Sequence, residues 1–180
     1  MKKKLIAHAV DVAKNATTTR LKVNGCLPCQ FWTDGHTFVT DGFRILEVEQ
    51  LIDELPTSEN QTVAESCLKY IKEVNSPYLE YVLDTEIPSV SEIKTGIRDL
   101  VGRRLDTVVW ASPNNWKVNA RWLYKAMEAL NAKVVFVSST KPWNSPIFLL
   151  ENDDPQSMNR EMILPVNANH EPGFYVPGQN

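Results

Sequence analysis

No run of eighteen apolar residues occurs in the 180-residue chain, so the sequence offers no helix able to span a bilayer. Its first residues, Met1 to Lys4, lead into a short stretch, Leu5 to Val12, that holds His8 and Asp11 and is too polar for a signal peptide. A cytoplasmic location with no membrane partner is the expectation. Cysteine is scarce: Cys26, Cys29 and Cys67 are an odd number in a chain this long, which argues against a secreted disulfide framework. Glycine is scarce too, and its seven positions form neither a phosphate-binding loop nor a dinucleotide fingerprint. Neither a G-x-S-x-G nor an H-E-x-x-H pattern is present. Nothing in these motifs asks for an enzyme, a metal or another cofactor.

At 43% apolar residues the chain is long enough for one domain with a proper core. Its net charge of −3 implies no special partner, but the charge is unevenly spread. Segments 1–24 and 117–133 hold ten basic residues against Asp11 and Glu128, a local charge of +8, which leaves −11 for the other 139 residues. Binding to a polyanion follows local potential rather than net charge, so these two segments are candidate contacts for one. The plainer reading is that they are ordinary solvated helix faces.

Along the chain, Leu5, Ala9, Val12 and Ala16 recur at helical spacing and predict a short amphipathic helix. From Cys29 the period changes to two, in three short runs divided by Asp34-Gly35 and Asp41-Gly42. Asp-Gly suits the positive backbone angles of a two-residue hairpin, so the first pair predicts a hairpin and the second a turn. Residues 59–74 and 89–102 read as two helices, the first presenting Val63, Cys67, Tyr70, Ile71 and Val74, the second closed by Gly102. They read as a helical insertion at about 51–103. Strand character returns at 105–111. A helix follows with Asn119 as its N-cap, Leu123, Met127 and Leu130 as its buried stripe and Asn131 as its close; three more strands come after it. Helix plus strands, then helix plus strands again, is an internal architectural repeat.

Two chemical readings compete with this structural one. Cys26-Leu-Pro-Cys29 has the spacing of a zinc or redox pair, but a second ligand pair is missing and QFWT continues as a strand instead of a helix. Asp34, His36 and Asp41 have the chemistry of hard-metal ligands, yet both aspartates are already the expected turn-formers. Trp32, Trp110, Trp116, Trp122 and Trp143 are scattered, which suits core and rim packing better than a platform for stacked bases.

VTDGFRILEV (39–48) resembles the ATDGHRLA-type strand of the bacterial DNA polymerase III beta subunit family, the sliding clamps. KVNARWLYKAMEALNAKVVFVSS (117–139), SPIFLLEN (145–152) and REMILPV (160–166) are similar to the helix, "SPxxL" strand and "MPV" strand that close that family's chains. LIAHAVDVAKNATTTR (5–20) resembles its opening helix more weakly. A little over half of the chain is covered, the segment from about 51 to 103 being unmatched.

The resemblance implies an α+β processivity fold, two helices packed on antiparallel sheets with pseudo-twofold symmetry. A single such domain would span 1–166, interrupted by the helical insertion and followed by a tail at 167–180. It further implies a non-enzymatic replication accessory protein. Sequence-independent contacts to duplex DNA would come from Lys14, Arg20, Lys22, Lys117, Arg121 and Lys125. A pocket for short peptides of replication proteins would be built from Thr40, Asp41, Gly42, Phe43 and Arg44 with Met162, Leu164, Pro165 and Val166. Phe43 stands where the family carries histidine.

A clamp of that family holds three such domains per chain and closes a ring from two chains. This chain has material for one, so encircling DNA would require a head-to-tail homo-oligomer such as a hexamer. The alternative is a monomeric or dimeric interaction module that never forms a ring; a shortened chain of either kind suits a phage or mobile element. The tail carries Phe174, Tyr175 and Val176, expected to fold back on an apolar surface, the peptide pocket being one candidate.

Overall fold

The computed structural model describes residues 2–16, 28–75, 81–84, 87–99, 109–111, 116–138, 145–166 and 174–175. In chain order they form α1 (Lys3–Ala16), β1 (Gln30–Thr33), β2 (His36–Thr40), β3 (Arg44–Val48), β4 (Thr57–Ser58), α2 (Gln61–Asn75), β5 (Tyr81–Asp84) and α3 (Val90–Asp99). Then follow β6 (Val109–Ala111), β7 (Lys117–Asn119), α4 (Ala120–Leu130), β8 (Val135–Ser138), β9 (Ile147–Leu150), β10 (Arg160–Ile163) and β11 (Phe174–Tyr175). The protein is a mixed α+β structure. None of the described helices is long and apolar enough to cross a membrane.

Eight strands form one sheet in the order β4-β1-β2-β3-β10-β9-β8-β5. Its centre is the antiparallel pair β3–β10, in which Arg44 faces Ile163 and Glu47 faces Arg160. On either side of that seam lies a three-stranded antiparallel run, β1-β2-β3 after α1 and β8-β9-β10 after α4. The helix-plus-strands repeat read from the sequence is therefore also a spatial repeat. α1 packs on β2 and β3, while α4 packs on β9 and β10, and the two helices touch. The strands run continuously across this seam, and a separate three-stranded sheet is β11-β6-β7.

Strand alternation divides the core in two. Val39, Leu46, Val48, Ile147, Leu149 and Ile163 point to the α1/α4 side, where Leu5, Ala9, Val12, Leu123, Met127 and Leu130 meet them. Phe31, Phe38, Ile45, Phe148 and Met162 point to the opposite side, where Ala64, Cys67 and Ile71 of α2 cover them. Ala9 and Ala13 are wholly buried in this larger core, so an added branched side chain at Ala13 would overpack it. Each fully buried Leu or Val in this interior contributes about 1.5–3 kcal/mol.

Local signals account for the ends of α4. The Asn119 side chain accepts hydrogen bonds from the N–H groups of Arg121 and Trp122, and Asn131 closes the helix in the left-handed conformation at φ 52°. The segment expected as a helical insertion holds both helices and two short strands as well. β4 pairs in parallel with β1 at one edge of the sheet, and β5 pairs with β8 at the other. α2 covers one face between them, and α3 packs on α4 with Ile93 buried in the larger core. Gly102 and residues 105–108 lie outside the described residues.

Candidate functional site

The β2–β3 connection is built around Asp41, which has no exposed surface. One carboxylate oxygen, Oδ1, accepts the N–H groups of Phe43 and Arg44, both at 3.0 Å. The other, Oδ2, accepts Arg44 Nε at 2.9 Å and Asn15 Nδ2 at 2.7 Å, and lies 2.8 Å from Arg44 Nη2. Thr40 adds a second brace: its hydroxyl donates to the Arg44 carbonyl at 2.6 Å and accepts the Gly42 N–H at 3.1 Å. Gly42 takes φ 90°, which a side chain would strain. The loop is thus fixed by its own sequence, and it holds Phe43 outward with about half its surface exposed.

Phe43 does not stand alone. Its carbonyl accepts the Leu164 N–H at 2.9 Å, extending the β3–β10 ladder beyond Ile163. Between this junction and α2 lies a pocket of about 380 Å³. Phe43, Ile45, Met162 and Leu164 form its sheet side, with Thr40, Gly42 and Arg44 beside them. Thr62, Val63, Ser66 and Cys67 of α2 form the opposite wall. Burial holds the Cys67 thiol up at about 12, so it stays neutral. Arg44 is neutralised by Asp41. The pocket is therefore apolar with a hydroxyl fringe, suited to an uncharged side chain or two and not to an acidic one.

Seven of the expected pocket residues line or brace this cavity: Thr40, Asp41, Gly42, Phe43, Arg44, Met162 and Leu164, with Asp41 behind the wall. Pro165 and Val166 lead away from it, since the Val166 N–H bonds to the Lys117 carbonyl on β7. The α2 wall was missed. Its Val63–Cys67–Ile71 stripe marks a buried helix face, but no local signal says which side of which sheet that face covers. Of the tail, the backbone of Phe174 and Tyr175 pairs in parallel with Val109 and Trp110 of β6, and Val176 lies outside the described residues.

The expected DNA-facing residues are spread more widely. Lys14 is exposed on α1, Lys117 is on β7, and Arg121 and Lys125 are half-buried on α4; Arg20 and Lys22 lie outside the described residues. Lys125 Nζ pairs with Asp11 at 2.7 Å across the α1–α4 seam, and Glu128 pairs with Lys94 of α3 at 2.6 Å. Burial raises the Asp11 pKa, but the Lys125 hydrogen bond and charge, with Arg44 and His8 nearby, bring it below the usual 3.8. A groove of about 390 Å³ between the helices is lined by Lys4, His8, Asp11, Lys125 and Glu128, a mixture of both signs.

Two glutamates are buried in the central strand pair. On the α1/α4 side, Glu161 Oε2 lies 2.6 Å from His8 Nε2. On the α2 side, Glu47 bonds to His36 with one oxygen and to Arg160 with the other. His36 is thereby engaged in a strand-to-strand brace, Asp41 in its loop, and Asp34 in a turn, so the three do not converge as ligands. Cys29 and Cys67 are both buried; Cys26 lies outside the described residues. Trp116 is fully buried and Trp32 nearly half exposed.

No family model, no curated protein and no solved structure matches the chain significantly.

Proposed function

We propose that this chain is a non-enzymatic interaction module of the sliding-clamp type, docking a short, uncharged, apolar stretch of a replication protein in the pocket between the 41–44 loop, Leu164 and α2. The observation that carries this reading is the hydrogen bond from Leu164 to Phe43. It joins, within one sheet, the two sequence pieces that the clamp resemblance assigns to peptide docking. The repeated helix-plus-three-strand halves, meeting at β3–β10 with α1 and α4 side by side, support the clamp-type architecture.

The test is binding of a fluorescent, capped leucine tripeptide followed by anisotropy. Phe43→Ala and Leu164→Asp should each weaken it at least about tenfold, the effect of losing roughly 1.4 kcal/mol of contact, while the unfolding midpoint stays close to wild type. Equal affinity in all three proteins would remove the docking reading.

A second reading, contact with duplex DNA, is favoured by the local charge of +8 in segments 1–24 and 117–133. It ranks lower because Lys125 is occupied by Asp11 and the α1–α4 groove carries both signs. A ring-former should behave as a large oligomer and bind DNA with affinity that falls steeply with salt. A monomer indifferent to DNA would leave only the docking module.

A further inference from the structure

The 41–44 loop touches more than the pocket. The Phe43 ring lies against the ring of Trp122 on α4, with centroids 5.7 Å apart and planes tilted by 31°. The Arg44 guanidinium lies 4.8 Å from the same Trp122 ring centroid. Asn15 at the end of α1 bonds to Asp41. One short loop therefore forms a pocket wall on the α2 side and a contact with both helices on the other.

Within this hub one polar contact is incomplete. Arg44 Nη1 and Glu161 Oε1 are buried and make no hydrogen bond among the described residues. They lie 3.9 Å apart with side chains almost wholly excluded from solvent. That gap is about one ångström beyond hydrogen-bond reach. A buried cation and carboxylate this close gain by closing it, since each is desolvated and short of a partner. Asp41 on one side and His8 on the other hold them back: Nε and Nη2 of Arg44 are tied to Asp41, and Oε2 of Glu161 to His8.

We propose that Arg44 is the lever of a two-position latch that couples the pocket to the α1–α4 helix pair. In the position described, Arg44 sits on Asp41 and Trp122, and Phe43 rests on Trp122. In the second, Nη1 reaches Glu161 Oε1 and the guanidinium slides across the Trp122 ring. The Phe43 ring, which rests on the same Trp122 ring as the guanidinium, shifts with it and changes the width of the pocket. An occupant that presses on Phe43 selects between the positions, and so shifts the environment of Trp122 at the start of α4. The regulatory meaning rests on the docking reading above; the latch itself does not.

Two measurements separate them. The first follows the Trp122 indole N–H by ¹⁵N relaxation dispersion, assigned by its loss in Trp122→Phe. Microsecond-to-millisecond exchange is expected in the wild type and should be quenched in Arg44→Lys, whose ammonium lacks the forked reach. A Trp122 signal without exchange in folded wild-type protein would overturn the latch. Should Arg44→Lys fail to fold, Glu161→Gln, which weakens the second position, serves the same comparison; exchange unchanged in the folded variant also overturns it. The second measurement titrates the capped leucine tripeptide while watching the same signal. Movement of the Trp122 signal that tracks saturation in wild type, and is lost in Phe43→Ala at matched occupancy, supports the coupling. Saturation of wild type with Trp122 unmoved overturns it. Absence of binding overturns the docking reading alone and leaves the latch to the exchange measurement.

Discussion

The chain contains Thr-Asp-Gly twice, and the two copies do different work. In Thr33-Asp34-Gly35 the aspartate and glycine take φ 50° and 79°, the paired positive angles of a tight hairpin, and the aspartate is exposed. In Thr40-Asp41-Gly42 only the glycine has a positive φ, and the aspartate is fully buried with both oxygens occupied. The same three residues make a solvent-facing turn in one place and a charged hub in the other. What separates them is the next residues: His36 starts a strand, whereas Phe43 and Arg44 supply a pocket wall and a buried cation.

Breaking the second copy should have the largest effect. Asp41→Ala leaves the buried Arg44 without its bonded counter-ion and frees two backbone N–H groups, a loss of about 3–5 kcal/mol, read from urea unfolding. The comparison sharpens with the double variant Asp41→Asn, Arg44→Met: the asparagine oxygen keeps the backbone bonds and the methionine removes the stranded charge. It should be more stable than Asp41→Ala alone, and a double variant that is no better would show that the ion pair is not the reason for the loss.

Breaking the first copy should matter less. At Gly35 an added Cβ meets no atom within 4 Å, so Gly35→Ala strains only the backbone. About 1 kcal/mol of destabilisation is expected. Asp34→Asn, which tolerates the same backbone angles, should be nearly neutral in the same urea measurement.

The smallest expected effect is electrostatic and lies at the helix seam beside the hub. Asp11 has a folded-state pKa below its ordinary value, so it contributes stability above about pH 4 that is lost as the pH falls through the folded value. Asp11→Asn should lower stability slightly at pH 7 and flatten the acid side of the stability profile below about pH 4. A profile parallel to the wild type would deny the Lys125 pair any role.

Much of the fold was legible in the residues. The hairpin at Asp34-Gly35, both caps of α4 and the period-two runs of β1 to β3 rest on local backbone chemistry, and local chemistry is what a sequence states openly. The joining of β3 to β10 was not legible, because strand pairing over more than a hundred residues leaves no local mark. β5 was hidden for a related reason: four residues between two helices read as a connection until β8 offers them an edge. For the pocket, resemblance supplied the sheet side and the structure supplied the α2 wall. Glu47 and Glu161 were missed altogether, since each looks like an ordinary polar residue in an alternating strand. Only burial against His36 and Arg160, or against His8, distinguishes them.

The most direct test of the central claim, that the second Thr-Asp-Gly loop and Leu164 form a docking site, is amide chemical-shift mapping with the capped leucine tripeptide. Perturbations concentrated at Gly42, Phe43, Val63, Cys67 and Leu164, saturating together, are expected. Perturbations centred on Lys4, Asp11 and Glu128 in the helix groove, or none at saturating peptide, would contradict it.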